Sequence, residues 1–195
     1  MSGISCTVAL ACDAARAAGT LARLATDDFG QEDIDEAEID LDGSSRNNAM
    51  EWTLAAMIRA LRLPGLRHLQ MGFDPASGET LAADTPWSTL LQPEELAPAS
   101  ASLRKLCALA REQPDTVLAA MGAGNRGYDA ADLRSAVVDD PSTYVQAAQA
   151  YLDAKDRNDD GDDFASLFAY VQAHASLLER AHARGLCVVY AAWLY

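Results

Sequence analysis

The stretch DDFASLFAYVQAHASLLERAHARGLCVVYAAWLY, Asp162 to Tyr195, decides the fold. Asp162 or Asp163 suits a helix start, because a short carboxylate accepts the orphan N–H groups of the first turn and complements the dipole. Apolar residues recur at Phe164, Leu167, Phe168, Val171, Ala175 and Leu178, and that spacing predicts a helix with one core-facing stripe. Arg180, His182 and Arg184 crowd its last turn, and Gly185 is placed to end it. The run Leu186 to Leu194 follows. It is apolar and rich in Val, Tyr and Trp but too short to span a membrane, so it predicts a strand buried on both faces. The chain is therefore expected to fold around its own C-terminal strand.

Working outward, the rest of the chain supplies partners for that strand. Ile4, Cys6, Val8 and Leu10 alternate with Ser5, Thr7 and Ala9, the period of a strand. Asp13 can cap a helix from Ala14 to Ala25. Residues 36–42 alternate again, with Ala37, Ile39 and Leu41 against Glu36, Glu38, Asp40 and Asp42. After the turn-forming Gly43-Ser44-Ser45, Asn47 or Asn48 caps a helix to Leu61, which Pro64-Gly65 ends. Leu69, Met71 and Phe73 alternate with His68, Gln70 and Gly72, which predicts a strand over 67–73. Residues 82–100 carry Pro86, Pro93 and Pro98 and read as an anchored connection, the one place for an internal boundary. Helices are expected at about 101–111, 115–121, 129–138 and 142–155. The expectation is a single α/β-type domain over residues 1–195, with α+β as the variant. It is rich in helix, with about four strands (4–10, 36–42, 67–73, 186–194) in one sheet and the C-terminal strand inside it.

Half of the 195 residues are apolar, enough for a core without disulfides. Cys6, Cys12, Cys107 and Cys187 are scattered in apolar settings and read as buried, reduced thiols. No apolar run reaches membrane-spanning length. Met1-Ser2-Gly3-Ile4 has neither the basic nor the long apolar region of a secretory leader, so a cytoplasmic location is expected.

The net charge of −14 is unevenly spread. Asp27 to Asp42 holds nine acids and no base, and Asp153 to Asp163 holds six acids against Lys155 and Arg157. These two stretches carry 13 of the 14 net negative charges. A field of this sign disfavours nucleic acid and anionic membranes and favours a basic protein or cations. On a strand over 36–42, one face is apolar and the other is a row of carboxylates. Like charges two apart on one face repel, so the row costs stability unless a basic group meets it or it lines a solvated edge. Arg59, Arg62, Arg67 and His68 form a basic cluster near a helix end, suited to the dipole and able to answer the acidic strand.

Three patterns bear on chemistry. Gly122-Ala123-Gly124-Asn125-Arg126-Gly127 is a literal GxGxxG. As a nucleotide loop, with Gly122, Gly124 and Gly127 near the ligand, it needs a strand before it and a helix after it; Thr116–Met121 and Tyr128–Val138 are the segments in question. The acid-bearing strand that should follow is missing from the sequence pattern.

Asp156-Arg157-Asn158-Asp159-Asp160-Gly161 fits D-x-N-x-D-G between two predicted helices, and over these six residues it resembles the EF-hand family. The resemblance implies oxygen ligands from Asp156, Asn158 and Asp160, the sharp turn at Gly161, and calcium as the ion. The twelfth position is Leu167 where that family has a bidentate Glu, and the eighth is Asp163 where it has an apolar residue.

Finally, the sequence has no GxSxG, HExxH or P-loop. His174 and His182 lie about 80° apart around one helix, poor geometry for joint metal binding. His182 is expected to answer the dipole and His174 to sit at the edge of the core stripe.

These features describe a non-enzymatic acidic interaction protein. Its physical character is that of an inhibitor, as in immunity proteins that neutralise bacterial nuclease toxins by presenting carboxylates to a basic surface. The expected contact residues are Glu36, Glu38, Asp40 and Asp42, with Asp159, Asp160, Asp162 and Asp163 as a second patch. No cofactor is expected; the alternatives are a calcium-binding module at 156–163 and a nucleotide-binding or other small-molecule enzyme using the Gly122–Gly127 loop.

Overall fold

The computed structural model describes residues 4–25, 37, 39–42, 46–70, 87–122, 125, 127–137 and 164–194. Along the chain run β1 (Ile4–Cys12), α1 (Ala14–Ala25), β2 (Ile39–Asp42), β3 (Arg46–Asn47), α2 (Asn48–Ala60), a 3-10 turn (Arg67–Leu69) and β4 (Trp87–Leu91). Then come α3 (Pro93–Glu112), α4 (Pro114–Met121), α5 (Ala130–Ala136), α6 (Phe164–Ala183) and β5 (Cys187–Leu194). This is a helix-rich fold on one sheet. The sheet order is β2-β1-β5-β4, with β3 also paired to β1, and every described pairing is antiparallel. The C-terminal strand lies inside, hydrogen-bonded to β1 on one side and β4 on the other.

The period-two pattern of β1 sorts the two faces. Ala9 and Ala11 lie opposite Tyr190 and Val188 and join the main core. Val8, Leu10 and Cys12 lie opposite Ala191, Val189 and Cys187 and form a second, smaller cluster with Ala17 of α1. α1 packs on β4, β5 and β1. Its start is fixed by Asp13, whose Oδ1 accepts a 2.9 Å hydrogen bond from the Arg16 amide.

α6 is the centre of the main core. The sequence predicts one apolar stripe, yet all residues from Leu167 to Leu178 are buried, polar Gln172, His174 and Ser176 included. A helix surrounded by protein has no solvent face to mark with charge. α3 lies along it, with α5 and the sheet on other sides. The Arg104 guanidinium of α3 ties the outer turn by hydrogen bonds to Ser176 Oγ and to both oxygens of Glu179. At its end the Leu186 amide bonds to the Ala181 carbonyl and the Gly185 amide to that of His182, with Gly185 at φ 66°. This is the glycine-ended stop that the sequence predicts. α2 ends the same way one turn before Pro64-Gly65, with Arg62 at φ 50° in the left-handed position.

Two expectations are corrected. The predicted strand over 67–73 begins as the 3-10 turn Arg67–Leu69, where Leu66, His68 and Leu69 are all buried; residues 71–73 lie outside the described residues. The fourth strand instead comes from the proline-rich connection as β4. The helix expected from 101 begins at Pro93, because proline fits the first helical position, where no N–H is needed. Glu95 reinforces this start by accepting from the Gln92 amide at 2.8 Å. The helix predicted at 142–155 and the Gly43-Ser44-Ser45 turn lie outside the described residues.

Gly65 marks where the loop after α2 meets α3. Its φ is 75°, and an added Cβ would lie 3.2 Å from the backbone nitrogen of Ala99. Ser102 Oγ donates to the Pro64 carbonyl beside it at 2.8 Å. Gly65→Ala should therefore destabilise the fold by about 2 kcal/mol, from left-handed strain and an immovable backbone neighbour. A shifted urea midpoint at constant slope is the readout.

Candidate functional site

Asp40 and Asp42 of the expected acidic row lie on β2, which among the described residues ends the sheet order. β2 pairs with β1 such that Asp40 lies across from Leu10 and Asp42 from Val8, while Ile39 and Leu41 lie across from Ala11 and Ala9. The apolar positions thus share register with the main-core face, and the acid positions share register with the face on which α1 packs. β2 has β1 as its strand neighbour and stands at the end of the sheet order. Glu36 and Glu38 lie outside the described residues, as do Asp159, Asp160, Asp162 and Asp163 of the second patch and Asp156 and Asn158 of the calcium-like segment.

The basic cluster that the sequence groups together does not act as one unit. Arg67 Nη2 bonds to Glu95 Oε1 at 3.0 Å and to the Leu90 carbonyl at 3.0 Å, so it is tied to the start of α3. Arg59 and Arg62 are exposed, whereas His68 is fully buried.

The glycine-rich segment connects two helices. α4 occupies the place where a dinucleotide-binding loop needs its strand, and α5 follows. Gly122 and Gly127 have φ of 56° and 93°; Gly124 lies outside the described residues. Asn125 Oδ1 accepts from the amides of Gly127 and Tyr128, at 3.2 and 3.0 Å. Those two donors are therefore engaged by the loop's own side chain. Asp129 caps α5 by accepting from the Ala131 and Asp132 amides, and these bonds hold its carboxyl below the ordinary 3.8.

The most unusual polar grouping is inside the core. His68, at the 3-10 turn, and His174, on α6, face each other with Nε2 atoms 2.9 Å apart. Their rings stack at 5.1 Å between centroids. Tyr190 of β5 meets both edge-on, at 5.2 and 5.7 Å, and Tyr170 lies 5.6 Å from His174. All four residues are at most 1% exposed. One imidazole must donate its Nε2–H and the other accept. Burial first, then the adjacent His174 and Arg67, push the pKa of His68 well below 6.5. His68 is accordingly neutral near pH 7. Among the described residues, His68 Nδ1 has no hydrogen-bond partner. His174 is thus inside the core, not at the edge of a stripe. His182, exposed at the end of α6, donates from Nδ1 to the Pro93 carbonyl at 2.9 Å.

Residue types alone gave no sign of this pairing, since the two histidines are 106 positions apart. Gln172, His174 and Ser176 interrupt the otherwise apolar middle of α6, which marks buried polar positions but points to no partner. Among the described residues no group of three or more His, Cys, Asp or Glu is placed to hold a metal ion. None of the described helices is long and apolar enough to cross a membrane. No protein-family model, curated protein or solved structure matches the chain.

Proposed function

We propose that the protein is a non-enzymatic acidic interaction protein of the inhibitor or immunity type, which binds a basic protein through its carboxylate-rich stretches. The observation that carries this reading is the confinement of 13 of 14 net negative charges to residues 27–42 and 153–163. The first of these stretches ends in β2, which among the described residues ends the sheet order and where Asp40 and Asp42 occupy alternate register positions. Carboxylates two apart repel, and a basic surface would relieve that repulsion while steering encounter. The same charge keeps other strands from adding to the edge. The buried imidazole–tyrosine group then serves as core structure behind the sheet that carries Asp40 and Asp42.

The test uses four substitutions, Glu36, Glu38, Asp40 and Asp42 each to Ser. A basic partner captured at low salt and released by raised salt should associate with the variant at least about tenfold more slowly at low ionic strength. Wild type and variant should converge as salt screens the row. Equal affinity with an unaltered salt slope would sink the proposal, provided both proteins melt at similar temperature.

A further inference from the structure

We propose that Cys12 and Cys187 are a redox-convertible dithiol, closed to an intramolecular disulfide by a low-molecular-weight disulfide such as glutathione disulfide. Cys12 is the last residue of β1 and Cys187 the first of β5, and they are register partners. Directly opposed residues of antiparallel strands have Cα atoms about 4.5–5.5 Å apart, inside the about 4.4–6.8 Å window of protein disulfides. Because they are register partners, both also belong to one face, and both lie in the cluster with Val8, Leu10, Val189 and Ala191. Neither is bridged. Cys107 belongs to the separate main core on α3.

The position at the ladder's end matters. Each cysteine is 2% exposed, yet Asp13 and Gln92 beside them are exposed, and Cys187 Sγ donates to Gln92 Oε1 at 3.5 Å. The ends of the two strands can separate briefly without opening the sheet's middle. Burial, with Glu94 and Asp13, raises the Cys187 thiol pKa. The thiolate is the attacking form, so Cys187 attacks slowly.

Cys187 loses its proton and attacks one sulfur of glutathione disulfide; that S–S bond breaks and one glutathione leaves as thiolate. Cys12 then loses its proton and attacks the Cys187 sulfur. The Cys12–Cys187 bond forms and the second glutathione leaves. The protein dithiol loses two electrons and two protons, and one glutathione disulfide becomes two glutathione thiols. The bond ties the first strand to the last and closes most of the chain into a loop.

The experiment incubates the full native chain with glutathione disulfide, traps remaining thiols by alkylation and maps peptides by mass. The expected product is a Cys12–Cys187 linked peptide, with alkylatable thiols falling from the four of the sequence to two. The bridged chain should melt about 5–10 °C higher, a shift lost on reduction. Cys12→Ala and Cys12→Ser should both abolish the linked peptide and the shift. Bridges through Cys6 or Cys107, glutathione adducts alone, or a Cys12–Cys187 bond formed only in denaturant would each overturn the proposal.

Discussion

Tyr190→Ala should cost about 3–5 kcal/mol, a large part of the about 5–15 kcal/mol that holds a domain of this kind together. Tyr190 is fully buried on the interior strand β5, opposite Ala9 on one side and Thr89 on the other. Its alanine neighbour Ala9 leaves room that the ring fills. The ring also supplies the edges against which His68 and His174 stack. Truncation therefore leaves a cavity and removes the aromatic walls from a polar pair that no solvent reaches. Tyr190→Phe keeps ring, volume and both edge contacts and should cost far less, under about 1.5 kcal/mol. Urea denaturation of the three proteins measures both steps. An alanine variant within about 1 kcal/mol of wild type would mean that β5 is not the packed centre of the sheet.

The elements legible in the sequence are those whose pattern and end signals agree. β5 reads as a buried strand because its apolar run is bounded by Gly185, and Gly185 does end α6. Asp13 marks the start of α1 because a capping carboxylate acts within three residues. Failure comes where one local signal has two physical meanings. Alternation at Leu69, Met71 and Phe73 suggests a strand, but Leu66 and Leu69 lie three apart and both bury in a 3-10 turn, which has three residues per turn. Prolines at 86, 93 and 98 suggest a loop. Pro93 instead opens a helix, Pro98 sits within α3, and β4 occupies the short gap between Pro86 and Pro93. A five-residue strand has too few residues to show its period against such neighbours.

The candidate sites divide in the same way. The acidic row is a matter of composition and period, so the alternation Ile39, Asp40, Leu41, Asp42 carries over directly to the register of β2 on β1. The glycine motif is a spacing whose meaning depends on the preceding element, and α4 there is helical. The imidazole pair could not be read at all. It exists because a short turn after α2 and the middle of α6 meet over the sheet, and neither histidine has a local pattern that calls for the other. The cysteine pair becomes visible only when β1 and β5 are known to be neighbours in a given register.

Acid should destabilise the protein well before its carboxylates titrate, and His68 is the reason. In the folded chain its pKa is far below 6.5; in the unfolded chain it returns to about that value. Above pH 6.5 neither state binds the proton and the full stability is present. As pH falls below 6.5 the unfolded state takes up a proton that the folded state refuses, so stability drops, by up to about 1.4 kcal/mol per pH unit for this one group. The loss continues until the depressed folded pKa is reached. The surroundings permit no easy relief. His174 at 2.9 Å and Arg67 nearby both oppose a positive charge on His68, and Tyr170 and Tyr190 wall in the pair. Asp129, whose carboxyl is held below 3.8, loses its contribution only at lower pH and stays outside the window. Denaturation midpoints between pH 7.5 and about pH 5 should thus slope downward in the wild type. His68→Phe fills the site with a ring that cannot titrate. Whatever it does to stability at neutral pH, its profile over the same interval should be flatter by about one proton's worth. A flat wild-type profile, or an equal slope in both proteins, would show that the buried pair takes no part in acid sensitivity.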